Sequence, residues 1–517
     1  MQRSELAIFF DEAVASPRRR AVNGAESLQP PPSDRSPIDV ATVTHLPVAG
    51  TQSVVTLPTE AARRGADTQG AGAAAIAAMH RLNQSYFIAP DGAGKTSIYL
   101  ERTHPSTGQS HTVILNRSEF LLALENEFVE VRVPSGGTKR TRLGLYWLSH
   151  ADRRQYEHVG MWPGTEAPIG SFNLWSGWGV EPRPGDVAPM SAHVSMLCTH
   201  DPNLIAYVLG WLAYCVQFPG KLPEVAVIFR GGQGTGKGTL LRLMCRLFGV
   251  HGMHITQPAH LVGHFNAHLR SVLFLFVDEG FWAGDRAGEG VLKGLITEPT
   301  LAVEMKGRDV FSAPNFLKVV MATNNNWAVP AGADARRYCV IDAPSTRAND
   351  HAYFAELNEW IDAGGAAAWL HFLMHHDISE FNVRAAPSTA ALDAQKLESL
   401  KPIDRWVLEA LDQGTVIGSG DRQWLEDGTS VVCSAAVKSF EDYCKRAGGG
   451  RWAQADARQI GARLNQIFDC GPSRNMNGPT SPGVRSNPKS WPLPGLTKAR
   501  SMASTAFGLT HFVWGQS

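Results

Sequence analysis

The chain has 517 residues, and its 48 lysine and arginine residues balance its 48 aspartate and glutamate residues. A chain of this length exceeds what one hydrophobic core supports, so we expect roughly two to four domains, and the zero net charge excludes a global positive field for nucleic acid. The seven cysteines form no C-x-x-C pair, which argues against a disulfide framework or a zinc ribbon. The longest apolar stretches are too short to cross a bilayer, so we expect a cytoplasmic protein rather than a membrane protein.

The N-terminal part of the chain changes character near residue 74. Residues 1–73 mix proline-rich and alanine/glycine-rich pieces with little periodicity, which predicts a disordered arm. Residues 74–198 are predicted to form an α+β accessory domain with an aromatic-rich collar. Its predicted elements are a helix at 74–84, strands at 85–88 and 97–101, and a second helix at 118–127.

The two predicted strands flank a turn that spells GAGKTS, residues 92–97, and invites comparison with a phosphate-binding loop. Ala89 stands where the first glycine of such a loop belongs, and no buried strand is predicted before the turn. A strand rather than a helix follows it, so an anion there would lack a helix dipole. The sequence therefore favours a plain β-hairpin turn over a nucleotide site.

The collar, residues 147–180, is rich in aromatic side chains interleaved with arginines. Such residues can stack the bases of a single-stranded nucleic acid. Aromatic residues also dominate protein cores, and packing is the interpretation that we favour. An apolar helix with an Asp201–Pro202 start signal follows and leads into the next strand.

A glycine-rich loop between an apolar run and an amphipathic segment is the strongest functional signal in the chain. The run 225–229 predicts a buried strand, and apolar positions from 240 to 247 recur with helical spacing and end at Gly249. The loop between them places backbone N–H groups and a lysine at a helix N-terminus, an arrangement that binds the phosphates of ATP. Its pattern, G-x-x-x-x-G-K, carries glycine at the usual Ser/Thr position. The predicted ATP-binding residues are Gly231, Gly232, Gln233, Gly234, Thr235, Gly236, Lys237, Gly238 and Thr239.

Further polar positions after predicted strands fit ATP hydrolysis. An apolar run ends in Asp278, predicted to bind Mg²⁺ together with Thr239, and in Glu279, predicted to orient or deprotonate the attacking water. Asn324 ends the next strand, where a neutral amide can hydrogen-bond the γ-phosphate and the water. Arg337, in a loop before another strand, suits a finger that reaches the γ-phosphate of a neighbouring subunit.

A predicted β-hairpin with a basic tip lies between these strands. Its arms are residues 301–304 and 310–312, and its tip carries Lys306 and Arg308. Protruding cations can contact DNA phosphates without reading bases, but a solvated charged turn has the same composition. The residues alone leave the two interpretations open.

The remaining chain divides into a helical part and a small C-terminal domain. Residues 352–400 carry helices that fit a lid on the ATPase domain, which we predict to span 199–400. After a breaker-rich segment, helical patterns at 434–446 and 453–468 precede a tail rich in glycine and proline. This order resembles a winged-helix-like domain, predicted for 401–517, and such domains bind either DNA or protein.

The order of the segments GGQGTGKGT, FLFVDE, VEMKGRD, VVMATNN and DARRY resembles that of superfamily 3 helicases, a branch of the AAA+ proteins. Segments such as LNQSYFIA, WLSHADRRQY and TNNNWAVPAGADARRY resemble the helicase part of phage- and plasmid-type primase-helicase proteins, over about residues 78–400. The resemblance implies an α/β fold whose AAA+ P-loop core is a parallel sheet with flanking helices. It also implies ATP and Mg²⁺ as cofactors, single-stranded or forked DNA as substrate, a separate primase or polymerase as a possible partner, and a hexameric homo-oligomer.

The resemblance also assigns roles to individual residues. Asn324 corresponds to the γ-phosphate sensor, Arg337 to the arginine finger, with Arg336 as the second choice, and Lys306 with Arg308 to a DNA-gripping hairpin. The implied function is ATP-dependent unwinding or translocation of DNA in replication. Two alternatives remain. A nucleotide-switched loading or defence ATPase that never translocates would keep every motif, and a small-molecule kinase suits GKGT but not the acidic pair or the distant arginine.

Overall fold

The computed structural model describes residues 71–515 except for 134–136, 258–260, 262–264, 279–285, 419–421, 448–454 and 476–487. The predicted arm, residues 1–73, lies outside the described residues apart from its last three, which begin the first helix. No helix in the described part of the chain is long and apolar enough to cross a membrane.

The N-terminal unit combines three helices with two small antiparallel sheets. Its elements are α1 (Ala71–Ser85), β1 (Tyr86–Pro90), β2 (Thr96–Thr103), β3 (Ser110–Leu115), α2 (Arg117–Ala123), β4 (Phe128–Val133), β5 (Gly137–Arg142) and α3 (Leu143–Ser149). Strands β1, β2 and β3 form one sheet, and β4 and β5 form a separate ribbon. The predicted hairpin turn is confirmed, and Asp91 Oδ1 closes it by accepting hydrogen bonds from the N–H groups of Ala93 and Lys95 at 3.0 and 2.9 Å.

The aromatic-rich segment packs its rings, as the sequence predicts. Trp147, Tyr156 and Phe172 are buried, and Phe172 stacks on Phe87 with ring centroids 4.3 Å apart. Buried rings have no face left for a base, so at these positions the packing interpretation is confirmed. Two short strands lie along the segment, β6 (His158–Gly160) and β7 (Ser171–Asn173), and the helix α4 (Ala188–Leu197) follows it.

The central unit is built on a five-stranded parallel sheet. Its elements are α5 (Pro202–Gln217), β8 (Ala226–Arg230), α6 (Lys237–Phe248), β9 (Gly252–Ile255), β10 (Phe274–Asp278), α7 (Arg286–Thr297), β11 (Thr300–Val303), β12 (Phe311–Pro314), β13 (Lys318–Thr323), β14 (Tyr338–Asp342), α8 (His351–Trp360), α9 (Ala366–His375) and α10 (Ala390–Glu398). The strand order is β14-β8-β13-β10-β9, and every neighbouring pair is parallel. Separate apolar clusters cover the two faces of the sheet, which explains why its strands are continuous apolar runs.

The helix after the glycine loop and the basic hairpin both form where the sequence predicts them. The apolar stripe of α6 is buried, and the helix ends at Gly249, whose φ of 57° is costly for a residue with a Cβ. Strands β11 and β12 pair antiparallel beside the main sheet. In this part of the chain, the helix and the hairpin that the local sequence patterns predict are therefore present in the structure.

The C-terminal unit has its own apolar core. Its elements are α11 (Pro402–Gln413), β15 (Thr429–Val432), α12 (Cys433–Arg446), α13 (Ala457–Phe468), β16 (Arg474–Asn475), β17 (Lys489–Leu493) and α14 (Leu496–Phe507). The three strands form an antiparallel sheet in the order β15-β17-β16. Trp406, Trp424, Phe440 and Trp491 are buried between this sheet and the helices.

A lysine is fully enclosed at the start of β13. The Lys318 side chain is buried, and its ammonium group donates hydrogen bonds to the carbonyl oxygens of Pro219 and Phe316, the latter at 2.8 Å. Burial lowers the pKa of Lys318 to about 7, because the charged form loses its hydration.

This burial predicts a pH-dependent stability. The unfolded lysine has a pKa of about 10.4, so between about pH 7 and that value the unfolded state binds more protons and stability rises with pH. Lys318→Met removes the titrating group. We expect the unfolding free energy of the wild type, relative to the variant, to increase with pH in this window, by up to about 1.4 kcal/mol per pH unit. Urea titrations at several pH values measure the difference, and parallel pH curves for the two proteins would contradict the prediction.

Candidate functional site

The glycine loop joins the end of β8 to the first turn of α6. Gly234 and Gly236 adopt φ angles of 71° and 92°, which residues with a Cβ rarely adopt. A Cβ on Gly236 would also lie 2.5 Å from the ring of His193. The loop therefore depends on glycine to bring its backbone N–H groups to a helix N-terminus, where anions bind.

The ammonium group of Lys237 lies within this loop. It donates hydrogen bonds to the carbonyl oxygens of Gly231 and Gly232 at 2.7 and 2.6 Å, and it lies 3.3 Å from Asn324 Oδ1. Lys237 is only 6% exposed, so its charge is directed at the loop rather than at bulk solvent. Phosphate oxygens that enter the loop would replace these neutral carbonyl oxygens as acceptors for the Lys237 ammonium group. Because phosphate oxygens are negatively charged, they bind an ammonium group more strongly.

Several predicted site residues gather at one edge of the sheet. Strands β8, β13 and β10 are adjacent and parallel, so the residues at their carboxyl ends meet there. Asp278 ends β10 beside Ala322 of β13, and Asn324 directly follows β13. Thr239 is buried in the first turn of α6. Glu279 lies outside the described residues, and its role stays a prediction.

His254, near the end of β9, is a neighbour of Asp278 that the sequence analysis missed. Its Nε2 lies 3.1 Å from Asp278 Oδ2. Its ring stacks on Phe276, with centroids 4.3 Å apart and planes 4° from parallel. The two contacts together restrict the orientation of the carboxylate. The sequence signal for His254 was its position as a polar residue near the end of a strand. The same kind of signal identified Asp278.

His193 of α4 is a second residue that the sequence analysis missed. Its Nε2 lies 3.0 Å from Gly236 O, and its Nδ1 lies 2.9 Å from the Tyr353 hydroxyl. Burial lowers the pKa of His193 to about 4, so the ring is neutral at pH 7. Because a carbonyl oxygen can only accept, Nε2 carries the proton and donates to Gly236, and Nδ1 accepts from Tyr353. These contacts hold the last turn of the glycine loop.

Arg336 and Arg337 lie at the opposite edge of the sheet. The Arg337 carbonyl oxygen accepts a hydrogen bond at 2.8 Å from the N–H group of Ala226, the first residue of β8, whereas the glycine loop follows the last residue of that strand. Strand β8 has five residues, and a strand rises roughly 3.3 Å per residue. The full length of the strand therefore separates Arg337 from the glycine loop. Arg336 is exposed, Arg337 is partly buried, and the buried Arg337 Nε has no hydrogen-bond partner in the described structure. Neither arginine therefore adjoins the loop of its own chain.

The tip of the β11–β12 hairpin contacts the β1–β2 turn of the N-terminal unit. Arg308 Nη1 forms an ion pair with Asp91, whose side chain is 0% exposed. Lys95 Nζ donates a hydrogen bond to Gly307 O at 3.2 Å. Lys306 is exposed. Of the two cations predicted to contact DNA, Arg308 is thus engaged within the chain, whereas Lys306 faces solvent.

Residues 229–337 match a family of unknown function, DUF5906. This span begins near the end of β8, stops just before β14, and contains the glycine loop, the acidic strand end, the hairpin and Asn324. The DNA primase-polymerase of Nitratiruptor phage NrS-1 is 30% identical to this chain over 150 residues. That match covers 28% of this chain and 21% of the phage protein, so it spans about a fifth of the relative's length.

Solved structures of the C-terminal region of the NrS-1 protein resemble most of the chain. The apo structure of the NrS-1 C-terminal region has a TM-score of 0.56 at 17% identity, covering 80% of this chain and 98% of that one. Another apo form of the same region gives a TM-score of 0.57 at the same identity and coverage. The X-ray structure of the JCV helicase covers 42% of this chain and 60% of its own, with a TM-score of 0.27 at 14% identity. The chain therefore shares its fold with the NrS-1 C-terminal region.

Proposed function

We propose that this chain is an ATP-dependent DNA helicase or translocase of phage- or plasmid-type replication, with an AAA+ core of the superfamily 3 type. The observation that carries the proposal is the division of the candidate site between two sheet edges. Lys237 and Asn324 lie together at one edge, and Arg337 lies at the other. A site divided in this way is completed when the arginine of a second copy approaches the glycine loop of the first. The similarity to a DNA primase-polymerase supports a role in DNA replication.

ATP would bind with its phosphates in the glycine loop. The loop N–H groups and Lys237 would hold the β- and γ-phosphates. Asn324 would hydrogen-bond the γ-phosphate or the attacking water without adding negative charge. The oxygens of Asp278 and Thr239 are hard donors of the kind that Mg²⁺ prefers, and a bound Mg²⁺ would neutralise phosphate charge. Glu279 directly follows Asp278 in sequence and would orient the attacking water.

Arg337 would act on the ATP of a neighbouring subunit. Its guanidinium group is a planar fork of donors, which suits a phosphate. The exposed Arg336 is the alternative finger. In a ring of identical subunits, most simply a hexamer, each interface joins one glycine loop to one arginine. Nucleotide binding and hydrolysis would then change the contact between subunits and move the hairpins that they carry.

The Lys306 hairpin would contact the phosphates of single-stranded or forked DNA. A lysine at an exposed tip supplies a sequence-independent contact, as a translocating enzyme requires. The C-terminal unit has the order helix, strand, helix, helix, strand, strand, helix, and its first six elements follow the order of a winged helix. This unit would bind DNA or a separate primase or polymerase.

A mixing experiment tests the shared site. Lys237→Ala and Arg337→Ala should each be inactive as ATPases, but a mixture contains interfaces with an intact loop from one chain and an intact arginine from the other. Random assembly makes about one quarter of the interfaces of this kind, so we expect ATPase activity to return in the mixture. Mixing Lys237→Ala with Lys237→Ala/Arg337→Ala is the matched control and should restore nothing. If the first mixture also stays inactive, the arginine does not act between subunits.

Strand displacement from forked DNA tests the overall proposal. The wild type should separate the strands only with a hydrolysable nucleotide and Mg²⁺. ATP hydrolysis without strand displacement or movement along single-stranded DNA would favour the nucleotide-switched loading or defence ATPase. Transfer of the γ-phosphate to a small molecule by a monomer would favour the kinase.

A further inference from the structure

The β4–β5 ribbon has two faces of opposite character. Alternate residues of a strand point to opposite sides, and one side of this ribbon is exposed at every position. The residues on that side are the cross-strand pairs Phe128 with Arg142, Glu130 with Arg140, and Arg132 with Thr138. On the other side, Val129 is 8% exposed and packs in the core of the N-terminal unit with Leu143. The ribbon is therefore anchored by one face and presents the other to solvent.

The exposed face concentrates positive charge in a chain whose net charge is zero. Among the residues that the structure describes, this face carries three cations, Arg132, Arg140 and Arg142, and one carboxylate, Glu130. Arg142 also pairs with Glu125 of the preceding loop at 2.6 Å, and both side chains are about half exposed, so water and salt screen this pair strongly. Residues two apart on a strand are separated by about 6.6 Å. The face thus offers a row of guanidinium groups with a spacing suited to the repeating phosphates of an extended nucleic-acid strand.

An exposed aromatic ring lies within this row of cations. Phe128 is 44% exposed, although a phenylalanine gains most when it is buried. The guanidinium carbon of Arg140 lies 4.1 Å from the centre of the Phe128 ring, which is a cation–π contact. The guanidinium group holds the exposed ring in place, and an exposed aromatic ring offers a surface of the kind on which unpaired bases stack.

We infer that the β4–β5 ribbon binds single-stranded nucleic acid, with Arg132 and Arg142 on the sugar–phosphate backbone and the Phe128–Arg140 pair against an unpaired base. Phosphate contacts alone would fit a duplex equally well. The exposed ring favours a single strand, because bases in a duplex are already stacked on each other. The inference goes beyond the proposed function, since the ribbon contains no part of the ATP site or of the Lys306 hairpin and its binding requires no nucleotide.

The test measures binding of the full-length protein to a fluorescent oligothymidine, without nucleotide, over a range of salt concentrations. Arg132→Gln/Arg142→Gln should weaken binding about tenfold or more and reduce the slope of log affinity against log salt by about 1.4, because each phosphate contact to a single strand contributes about 0.7. Phe128→Leu keeps an apolar side chain but removes the ring. It should weaken binding about fivefold and leave the slope unchanged, because stacking releases no counterions.

The control is Arg183→Gln/Arg384→Gln, which removes the same charge from two exposed arginines elsewhere, each paired with a glutamate. It should bind as the wild type does.

Unchanged affinity and slope in the ribbon double variant would overturn the inference. Equal weakening of duplex and single-strand binding, with no effect of Phe128→Leu, would overturn the assignment to single strands. A changed oligomeric state of the ribbon variants by light scattering would instead make the ribbon a contact between copies. Basal ATPase activity should stay at the wild-type level in all three variants, so a failure of the ribbon is distinguishable from a failure of the proposed ATPase.

Discussion

Lys237→Ala is expected to lower ATP hydrolysis at least about 100-fold, the range found when one preorganised charge-stabilising donor is removed from an active site. The ammonium group lies within the glycine loop and 3.3 Å from Asn324 Oδ1, so its loss removes a positive charge beside the residue that is proposed to contact the γ-phosphate. Steady-state phosphate release measures the effect. Lys237→Arg should recover little activity, because a planar guanidinium group does not fit where a compact ammonium group bonds to Gly231 and Gly232.

The chain provides a matched control in its second glycine-rich turn. Lys95 follows Gly94 in GAGKTS, as Lys237 follows Gly236 in the glycine loop, but the GAGKTS turn links two strands rather than a strand and a helix. Lys95→Ala should therefore hydrolyse ATP at the wild-type rate. Equal losses in both lysine variants would contradict the assignment of ATP to the loop after β8. Thermal unfolding of both variants separates lost catalysis from lost folding.

The elements around the glycine loop were predictable from the sequence because their signals are local. A helical stripe that ends at Gly249 needs only neighbouring residues to be recognised, and the polar ends of the buried strands after Val277 and Thr323 were read in the same way. Adjacent parallel strands present their carboxyl ends on one edge of a sheet, so these polar ends meet. The structure supports this, since β10 and β13 are adjacent.

The contacts that refine the site were not predictable because they join distant parts of the chain. His193 meets the glycine loop across 43 residues and Tyr353 across 160, and no spacing rule connects such positions. The same holds for Arg308 and Asp91, which are 217 residues apart. From the sequence, Arg308 looked equivalent to Lys306 as a phosphate contact. Only the tertiary structure distinguishes a cation that is already paired from one that is exposed.

Lys306→Ala is expected to reduce unwinding of forked DNA at least about tenfold while ATP hydrolysis changes less than about twofold, because Lys306 supplies a phosphate contact and lies outside the glycine loop. The side chain is exposed, so the thermal midpoint should not change. Strand displacement and phosphate release are measured in the same reaction. Equal losses of both activities would show that the lysine supports the ATPase fold rather than the DNA contact.

Arg308→Ala is the matched comparison on the same hairpin, and the structure predicts a different outcome for it. Removing the guanidinium group leaves the buried Asp91 carboxylate with only the N–H groups of Ala93 and Lys95, and an uncompensated buried charge is costly. The thermal midpoint should therefore fall, and Asp91→Asn/Arg308→Ala should recover part of the loss because the charge is gone.

Unwinding by the double variant then separates two roles of the hairpin contact. If the docked tip positions Lys306, the double variant stays defective although it is stable; if Arg308 only neutralises Asp91, the double variant unwinds DNA as the wild type does. We expect the first result, because Lys95 also bonds to the tip at Gly307 and the hairpin is thereby held at two points beside Lys306.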